Sequence, residues 1–432
     1  MSPQQPPRLS GLCLFVAAYV SLFAIAGVLL FGPGIFPSRH NQHTTVHPDQ
    51  FPHGLRWPYA GNGLLNCTSL RDVAQLEFIA SGWTKAVYRG KLAGNRDVAV
   101  KTVNLNGHEL QVCQARGETL PECYSRAAAK LMREMILLTE LAHDNMIKVL
   151  GSCVPEGPGP VAVLTELGEP LDTVRLLQLG WEDRLQLALG VARILQLLAH
   201  SPLGSLAMND FRRQQFVLVN GVLKLSDVDD VGLEEPACDV SMDCDRHLPE
   251  ALQQLALTRC ETGRCRGHNE RVNVWHAGKH FIRHLLPLGA PAALKPRIRE
   301  LLDGYADASW SARHVLAATE ELVRVFSEGK HLPPDLSPDR LKGYKILKDR
   351  DLPGEFDYAC AESRSAVTCV RSVHSPAEAA QLCDADPRCQ SVVIGPHRTW
   401  TGRLLAVFKT GVGVGSLARG YQLLVKTAAP SA

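Results

Sequence analysis

The stretch MNDFRRQQFVLVNGVLKLSDVDD, residues 208–230, places one aspartate before a hydrophobic hairpin and three more after it. Two short apolar runs, Phe216–Val219 and Val222–Leu225, flank an Asn-Gly pair. This pair is the strongest short-range signal for a type I′ turn between two antiparallel strands. The sequence therefore predicts a tight hairpin over these residues.

The polar residues beside the hairpin are predicted to meet at its open end. Antiparallel pairing brings the residues just outside the two strands together, so Asp210 and Gln215 should approach Asp227. Converging carboxylates repel each other unless a cation or a proton-bearing substrate lies between them. The alternative is that these acids are solvated loop residues, and the rest of the chain must decide between the two interpretations.

The size and charge of the chain set broad limits. Its 432 residues are enough for two or three domains, each with a sizeable core. Lys and Arg total 46 against 44 Asp and Glu, so no charge bias favours a nucleic-acid partner. We therefore expect no binding to nucleic acid.

The N-terminus contains an uncharged apolar run, Gly11–Phe31, that is long enough to cross a bilayer. It is either a signal anchor or a signal peptide, since Ala24–Ala26 offers a small-residue cleavage site. In both cases the rest of the chain enters the secretory lumen, and this segment (residues 1–31) is its only expected contact with a membrane. We expect the protein in the Golgi lumen, outside the cell, or both.

The cysteines support an oxidising compartment. Of thirteen, Cys13 lies in the apolar run, which leaves twelve for the folded part. In such a compartment most of these should form disulfides. Cys260 and Cys265 near His268 could suggest zinc, but without a second matching pair we favour disulfides. Asn66 begins a glycosylation sequon, so we expect a glycoprotein.

Composition divides the chain into five segments, of which residues 1–31 are the first. Residues 32–66 are rich in Pro, Gly and His and are predicted to be a stem or linker, and residues 67–327 form the main domain. The charged, proline-punctuated residues 328–358 suggest a second linker. Residues 359–432 carry four cysteines and are predicted to be a small module stapled by disulfides.

The main domain begins with a second group of motifs, in FIASGWTKAVYRGKLAGNRDVAVKTVNL. Alternating apolar residues predict a hairpin over Phe78–Lys91 and a following strand that ends at Val98–Lys101. The next apolar periodicity predicts a helix over Ser125–Ala142, in which Glu134 leans toward the apolar face. An acid there needs either a buried cationic partner or a place at the edge of the helix. Lys101 can be that partner. A further helix, Trp181–Ala199, is predicted to be core.

In order and spacing these motifs resemble those of a protein kinase, and specifically the vertebrate lonesome kinase family of secretory-pathway tyrosine kinases. The similarity runs from about Cys67 to Lys426. The stretches that carry it are SGWTKAVYR, GWEDRLQLALG, HSPLGS, FRRQQFVLVNGVLKLSDVDD and TWTGRLLAVFKTG. The resemblance implies an α+β, bilobal protein-kinase-like fold, with a β-rich N-lobe, a helical C-lobe and a small cysteine-containing C-terminal module.

The resemblance also implies where a nucleotide binds. Gly82 looks like the middle glycine of the loop that covers the phosphates, and Val87 like the residue that packs on adenine. Glu166 and Leu167 resemble the hinge, whose backbone groups bind adenine. ATP is the cofactor that these positions imply.

The remaining implied roles concern phosphate, metal and the reacting hydroxyl. Lys101 would bind the α- and β-phosphates and pair with Glu134, while Asp210 would position the attacking hydroxyl. Gln215 and Asp227 would bind Mg²⁺, or Mn²⁺ in its place. A magnesium nucleotide between Asp210 and Asp227 would account for the acids beside the hairpin.

Several positions depart from the usual kinase pattern. Ala80 and Lys85 replace the outer glycines of the phosphate loop, which should stiffen it. Met208-Asn209 replaces the His-Arg before the aspartate, so the arginine that usually receives an activation-loop phosphate is missing. Asp229 replaces a glycine and either adds a metal ligand or faces solvent. We also expect disulfides within residues 234–271 to hold the substrate platform without phosphorylation.

The main hypothesis is an ATP-dependent protein tyrosine kinase whose partners are secreted and extracellular-matrix proteins. The tyrosine acceptor is implied by the resemblance and not by the motifs themselves. The alternative is a catalytically inactive pseudokinase that acts as a luminal binding module. The broken glycine loop and the altered metal motif favour this alternative. The motifs also leave open a kinase that acts on a sugar.

Overall fold

The computed structural model describes residues 64–156, 159–255, 258–333, 336 and 338–427. The apolar run Gly11–Phe31 lies outside these residues, so its interpretation stays a prediction. Every helix within the described ranges is too short or too polar to cross a bilayer.

An N-terminal lobe is built on an antiparallel five-stranded sheet with the strand order β1-β2-β3-β5-β4. Its elements are α1 (Cys67–Arg71), β1 (Ala74–Ser81), β2 (Lys85–Leu92), β3 (Arg96–Val103), α2 (His108–Ala115), α3 (Leu120–Glu140), β4 (Val149–Cys153) and β5 (Ala162–Glu166). The predicted hairpin is formed by β1 and β2, and Val87 on β2 lies opposite Lys101 on β3. The β-branched residues of β3 suit a strand whose centre is buried.

Helix α3 packs one face against this sheet. It begins five residues before the predicted start at Ser125, because a capping box starts the helix earlier. In this box the backbone N–H and hydroxyl of Thr119 both donate to the Glu122 carboxylate at 2.8 Å. Its buried face includes Leu131, Met135 and Leu138, with Glu134 among them.

The C-terminal lobe is mainly helical and contains the largest hydrophobic core of the described chain. Its elements are β6 (Glu169–Pro170), α4 (Thr173–Gln178), α5 (Trp181–Ala199), β7 (Ala207–Met208), β8 (Phe216–Val219), β9 (Val222–Leu225), β10 (Val231–Gly232), α6 (Ser241–His247), β11 (Arg259–Glu261), β12 (Arg264–Arg266), α7 (His268–Ala277), α8 (Arg283–Leu285), α9 (Lys295–Ala306) and α10 (Ala312–Ser327). A π-helical turn, Gly278–Ile282, joins α7 to α8. Helix α5 has the bounds that the sequence predicts and supplies much of this core. The bilobal α+β fold is therefore confirmed.

The predicted hairpin at residues 216–225 is formed by β8 and β9 with the expected register. Asn220 and Gly221 have φ values of 51° and 79°, and these two positive values are what a type I′ turn requires. Strand β6 extends this hairpin into a three-stranded sheet. The prediction of a type I′ hairpin is confirmed.

All twelve cysteines of the folded part form disulfides, which confirms the choice of disulfides over zinc. The pairs are Cys67–Cys153, Cys113–Cys123, Cys238–Cys260, Cys244–Cys265, Cys360–Cys369 and Cys383–Cys389. Cys260 and Cys265 bond to different partners, so neither thiolate is free for a metal. Residues 234–271 hold two interleaved bridges.

The C-terminal module has its own five-stranded sheet, in the order β13-β17-β15-β16-β14, covered by one helix. Its elements are β13 (Tyr344–Asp351), β14 (Cys369–Val373), α11 (Pro376–Ala385), β15 (Ser391–Arg398), β16 (Leu404–Lys409) and β17 (Ser416–Lys426). Strand β13 lies within residues 328–358, which the sequence suggests are a linker. The structure differs there because β13 pairs along β17, so its exposed charged residues sit on a hydrogen-bonded edge strand.

Polar contacts attach this module to the C-terminal lobe. Arg364 forms an ion pair with Asp183 at 2.8 Å near the start of α5. Arg403 donates to the backbone oxygen of Phe326 at 3.2 Å and lies over its ring, 4.3 Å from the centroid. The same guanidinium pairs with buried Glu378 at 2.6 Å. The module is therefore held to α5 and α10 by buried or half-buried charged groups.

Candidate active site

The predicted pair of Lys101 and Glu134 lies between the sheet and helix α3. Lys101 on β3 is 5% exposed and Glu134 on α3 is fully buried. The Lys101 Nζ lies 2.6 Å from Glu134 Oε1 and donates to the backbone oxygen of Ser226 at 2.6 Å. A buried carboxylate needs such a partner, so the expectation of a buried cation beside Glu134 is confirmed.

A second lysine, Lys85 at the start of β2, binds the same glutamate. Its Nζ contacts Glu134 Oε2 and lies 2.6 Å from Asp227 Oδ1 and 3.0 Å from Asp229 Oδ2. Burial disfavours the charged ammonium of Lys85, but the carboxylates of Glu134, Asp227 and Asp229 outweigh burial and raise its pKa. Lys85 therefore links the start of β2 to the segment that follows the β8–β9 hairpin.

The open end of the β8–β9 hairpin brings together the three polar residues that the sequence places there. The Gln215 side-chain amide donates to Asp210 Oδ2, and the Gln215 backbone oxygen accepts from the N–H of Ser226 at 2.8 Å and of Asp227 at 3.3 Å. The hairpin register thus fixes the spacing between Asp210 and Asp227. The predicted convergence of Asp210, Gln215 and Asp227 is confirmed.

Asp210 is also held by Arg212, whose guanidinium donates to both oxygens of the carboxylate, with the Nη2–Oδ2 contact at 2.6 Å. The hydrogen bonds from Arg212, aided by Gln215 and opposed by burial, lower the pKa of Asp210. A carboxylate with a low pKa is a weak base and stays ionised at neutral pH. It is suited to orienting a hydroxyl by accepting its hydrogen bond.

Two of the aspartates after the hairpin, Asp227 and Asp229, respond differently to burial. Burial disfavours the charge on Asp227, but Lys85 and Lys101 outweigh it and hold the pKa of Asp227 below its usual value. For Asp229, burial and the charges of Asp227 and Glu134 prevail over Lys85 and raise the pKa to about 7. One carboxylate is thus kept ionised, and its neighbour changes charge near neutral pH.

Helix α3 also holds the segment that follows Asp227. The guanidinium of Arg133 donates to the backbone oxygen of Asp229 and, at 2.6 Å, to that of Val231. The Asn209 side chain donates to the backbone oxygen of Asp230 at 2.8 Å. Two neighbouring residues of α3 therefore have different partners: Glu134 binds the two lysines of the site, and Arg133 binds the segment that follows Asp227.

The loop between β1 and β2, which is predicted to cover the phosphates, is anchored by the segment after β3 that includes α2. The Thr84 hydroxyl donates to Glu109 of α2 at 2.8 Å, and the backbone N–H of Glu109 donates to the Trp83 oxygen at 3.2 Å. The Asn104 side chain donates to the Gly82 oxygen at 2.9 Å. The expectation of a stiffer loop agrees with these contacts, which come from neighbouring elements as well as from the loss of glycine.

The remaining residues predicted to bind nucleotide belong to the same N-terminal sheet and to the turn between β1 and β2. Val87 is half-buried on β2, and Gly82 is exposed at the turn. Glu166 ends β5, and its side chain pairs with Lys224 at 2.6 Å and accepts from the Lys148 backbone N–H at 2.9 Å. The carboxylate of Glu166 thus joins the end of β5 in the N-terminal lobe to Lys224 on β9 in the C-terminal lobe.

The donor set fits a divalent cation. Carboxylate oxygens of Glu134, Asp227 and Asp229 lie within 4.8 Å of one another, and oxygen is the ligand atom that Mg²⁺ and Mn²⁺ prefer. Asp229 is half-buried, with 15% of its side chain exposed, and its carboxylate is directed to Lys85 at 3.0 Å. Of the two interpretations of Asp229, the structure therefore favours the one in which it belongs to the site.

The contacts of Lys85 and Arg133 were not predicted from the sequence. Lys85 and Val87 are two residues apart on a strand, so they lie on the same face of the sheet. This alternation could have placed Lys85 on the face that also carries Lys101. Arg133 had no such signal, because its partners are backbone oxygens about a hundred residues away.

Comparisons with known proteins agree with this fold. A family profile described as the protein-kinase domain of FAM69 matches residues 128–306. The extracellular tyrosine-protein kinase PKDCC of Homo sapiens is 38% identical over 350 residues, which cover 80% of this chain and 70% of that protein. A G-type lectin S-receptor-like serine/threonine-protein kinase of Arabidopsis thaliana is 24% identical over 181 residues, or 40% of this chain and 22% of that protein.

A solved structure of an apo pseudokinase is 19% identical and covers 61% of this chain and 98% of its own, with a TM-score of 0.36. That score is too low to carry an argument. The lobes, the buried lysine–glutamate pair and the profile match define a protein-kinase domain. The chain belongs to the family of the extracellular tyrosine-protein kinase PKDCC.

Proposed function

We propose that this protein is a secretory-pathway and extracellular protein tyrosine kinase. It transfers the γ-phosphate of ATP to tyrosines of secreted and extracellular-matrix proteins. The similarity to an extracellular tyrosine-protein kinase supports the acceptor and the location. The six disulfides support an oxidising compartment, since such bonds are rare in reducing ones.

The observation that carries the proposal is the assembly of the four charged residues in one site. The Lys101–Glu134 pair is formed, Lys101 reaches the backbone of Ser226, and the next residue is Asp227. Asp210 is tied to the same point through Gln215. Phosphoryl transfer needs positioning and neutralisation of charge more than covalent help from the protein, so this set is sufficient for it.

Each of these residues has a proposed role. Lys101, held by Glu134, binds the α- and β-phosphates. Asp227 and Gln215 bind Mg²⁺ or Mn²⁺, for which the Gln215 amide must turn its oxygen toward the ion. A bound divalent ion neutralises the charge on the phosphates. Asp210 accepts the hydrogen bond of the tyrosine hydroxyl and orients it for attack.

The adenine end is proposed to lie between the sheet and the connection of the lobes. Val87 packs on the base, and the backbone around Glu166 and Leu167 binds its polar edge. The backbone N–H of Glu166 already donates to Lys148 at 3.0 Å, so we assign this binding to the remaining backbone groups of the segment. Gly82 lies at the turn above the phosphates.

The pseudokinase alternative is not favoured. Burying Lys101 and Glu134 costs several kcal/mol of desolvation per charge, which is not needed in a site that binds no phosphate. A protein kept only for binding partners would have no physical reason to retain these two residues together with Asp210 and Asp227. The broken glycine loop favoured this alternative. In the structure this loop is held in place by the ion pair of Lys85 with Asp227 and by the hydrogen bond of Thr84 to α2.

The test is transfer of labelled phosphate by the purified secreted protein from Mg-ATP or Mn-ATP. Acceptors are a tyrosine polymer, a mixture of secreted proteins and free sugars, and the labelled amino acid is identified after hydrolysis. Lys101→Met and Asp227→Asn are compared with Lys345→Met, which changes an exposed lysine of β13.

We expect label on tyrosine in the wild type and in Lys345→Met, with at least about a hundredfold loss in the two site variants. Label on sugar alone would replace the proposed acceptor. Nucleotide binding without transfer to any acceptor would support the pseudokinase. The absence of both nucleotide binding and phosphate transfer would refute the kinase proposal.

A further inference from the structure

Lys85 occupies a position that the kinase pattern gives to a flexible glycine. The residue begins β2 and is 8% exposed, with its ammonium directed into the site. A glycine there would let backbone N–H groups approach the phosphates closely. Lys85 places a charged side chain at that point instead.

The ammonium of Lys85 lies where the carboxylates of the site converge. It contacts Glu134 and lies 2.6 Å and 3.0 Å from Asp227 and Asp229. Lys101 contacts Glu134 and the Ser226 backbone, but no ion pair joins it to either aspartate. Lys85 is therefore the cation that directly neutralises the residues proposed to bind metal.

The backbone beside Lys85 is held by neighbouring elements. The residue before it, Thr84, donates its hydroxyl to Glu109 at 2.8 Å, and its backbone oxygen accepts from Asn104 at 2.8 Å. Glu109 is in turn bound by Lys130 of α3 at 2.8 Å. These contacts fix the base of Lys85, so its long side chain is the part that can move.

We propose that Lys85 is a second phosphate-binding lysine that occupies the carboxylates of the metal site while no nucleotide is bound. When the metal–nucleotide enters, its cation replaces the Lys85 ammonium at Asp227, and Lys85 turns to the phosphates. Charge is balanced in both states, because a cation always faces the carboxylates and the freed ammonium faces the added phosphates. The inference deepens the proposed function and rests on it.

One consequence distinguishes Lys85 from Lys101. With Lys85 in place, a divalent cation must compete with an internal ammonium, so the nucleotide-free protein should bind metal poorly. Replacing Lys85 by methionine should free the carboxylates. Replacing Lys101 should not, because Lys101 does not contact Asp227 or Asp229.

The experiment measures two binding constants with the full secreted chain. Free Mn²⁺ is followed by electron paramagnetic resonance without nucleotide, and affinity for a non-hydrolysable ATP analogue is measured separately with Mg²⁺. The variants are Lys85→Met, Lys101→Met and Lys91→Met, the last being a matched control from the same strand. Thermal unfolding checks each fold, and Lys85→Gln replaces Lys85→Met if that variant does not fold.

We expect Lys85→Met to bind Mn²⁺ about tenfold or more tightly than the wild type and the analogue about tenfold or more weakly. Lys101→Met should lose analogue affinity without gaining Mn²⁺ affinity, and Lys91→Met should change neither.

Changes of less than about twofold in both constants for the Lys85 variant would overturn the inference. If the wild type transfers phosphate and this variant binds normally, only the Lys85 inference fails. If the wild type transfers no phosphate but its binding depends on Lys85 as expected, only the proposed activity fails.

Discussion

Replacing Glu134 should destabilise the protein more than replacing Lys101, although the two residues form one ion pair. Glu134 is fully buried and is bound by two lysines, Lys85 and Lys101. In Glu134→Gln both ammonium groups lose their shared counter-charge. In Lys101→Met the glutamate keeps Lys85, so no buried carboxylate is left without a cation.

The structure sets the size of this difference. Breaking a buried pair so that a charge is left unpaired costs about 3–5 kcal/mol, and we place Glu134→Gln in this range. For Lys101→Met the loss is mainly that of charge-assisted hydrogen bonds, about 1.5–3 kcal/mol, and methionine retains most of the buried volume. We expect the two variants to differ by about 2 kcal/mol.

The assay is urea unfolding of the two variants, read by hydrogen exchange of the β3 and α3 amides so that the N-terminal lobe is followed directly. Glu77→Gln changes an exposed acid on β1 and should stay within about 0.5 kcal/mol of the wild type. In a double-mutant cycle, removal of both lysines should cost more than the sum of the single losses, since only then does Glu134 lose every cation. Equal losses for Glu134→Gln and Lys101→Met, or strict additivity of the lysine variants, would contradict this account.

Three further predictions concern the C-terminal half of the chain. Burial, with nearby His280 and Lys279, lowers the pKa of His276 to about 4. Below about pH 6.5 the unfolded state therefore binds a proton at this histidine, whereas the folded state does not bind it until the pH approaches 4. Stability should therefore fall as the pH drops from about 6.5 toward 4, and thermal unfolding of His276→Phe should show a smaller decrease. The Cys238–Cys260 bridge closes a span of 22 residues, so replacing both cysteines by serine should cost about 3 kcal/mol and permit proteolysis of this segment, whereas the wild type should resist it. Arg403→Met leaves buried Glu378 without its guanidinium and should cost about 3–5 kcal/mol in calorimetry, with partial recovery in Arg403→Lys; no loss in the methionine variant would exclude this role.

Local patterns predicted the parts of the structure that depend on neighbouring residues. The Asn-Gly pair fixes the β8–β9 hairpin, because its two positive φ values suit the twist of the flanking strands. Helical periodicity placed Glu134 on the buried face of α3, where an acid demands a cation. The convergence of Asp210 and Asp227 followed from the hairpin alone.

Features that depend on contacts distant in sequence could not be predicted in the same way. The partners of Arg133 are backbone oxygens, which any residue type provides. Disulfide pairing depends on the folded geometry, since the four cysteines of residues 234–271 allow three arrangements. Lys85 was recognised as a departure from glycine, but its effect on charge depends on Asp227, which is 142 residues away.

The absence of the usual arginine before Asp210 has a structural counterpart in the segment after Asp227. Asn209 stands in that arginine's place and binds the Asp230 backbone at 2.8 Å, while Arg133 binds the same stretch from α3. Further along, two interleaved disulfides fix residues 238–265 covalently. An activation-segment phosphate normally supplies such order through new contacts with arginine. Because side-chain hydrogen bonds to the backbone and disulfides supply it here, we expect the segment to be ordered as soon as the protein is folded and oxidised, and access of nucleotide past Lys85 to be the remaining point at which activity is controlled.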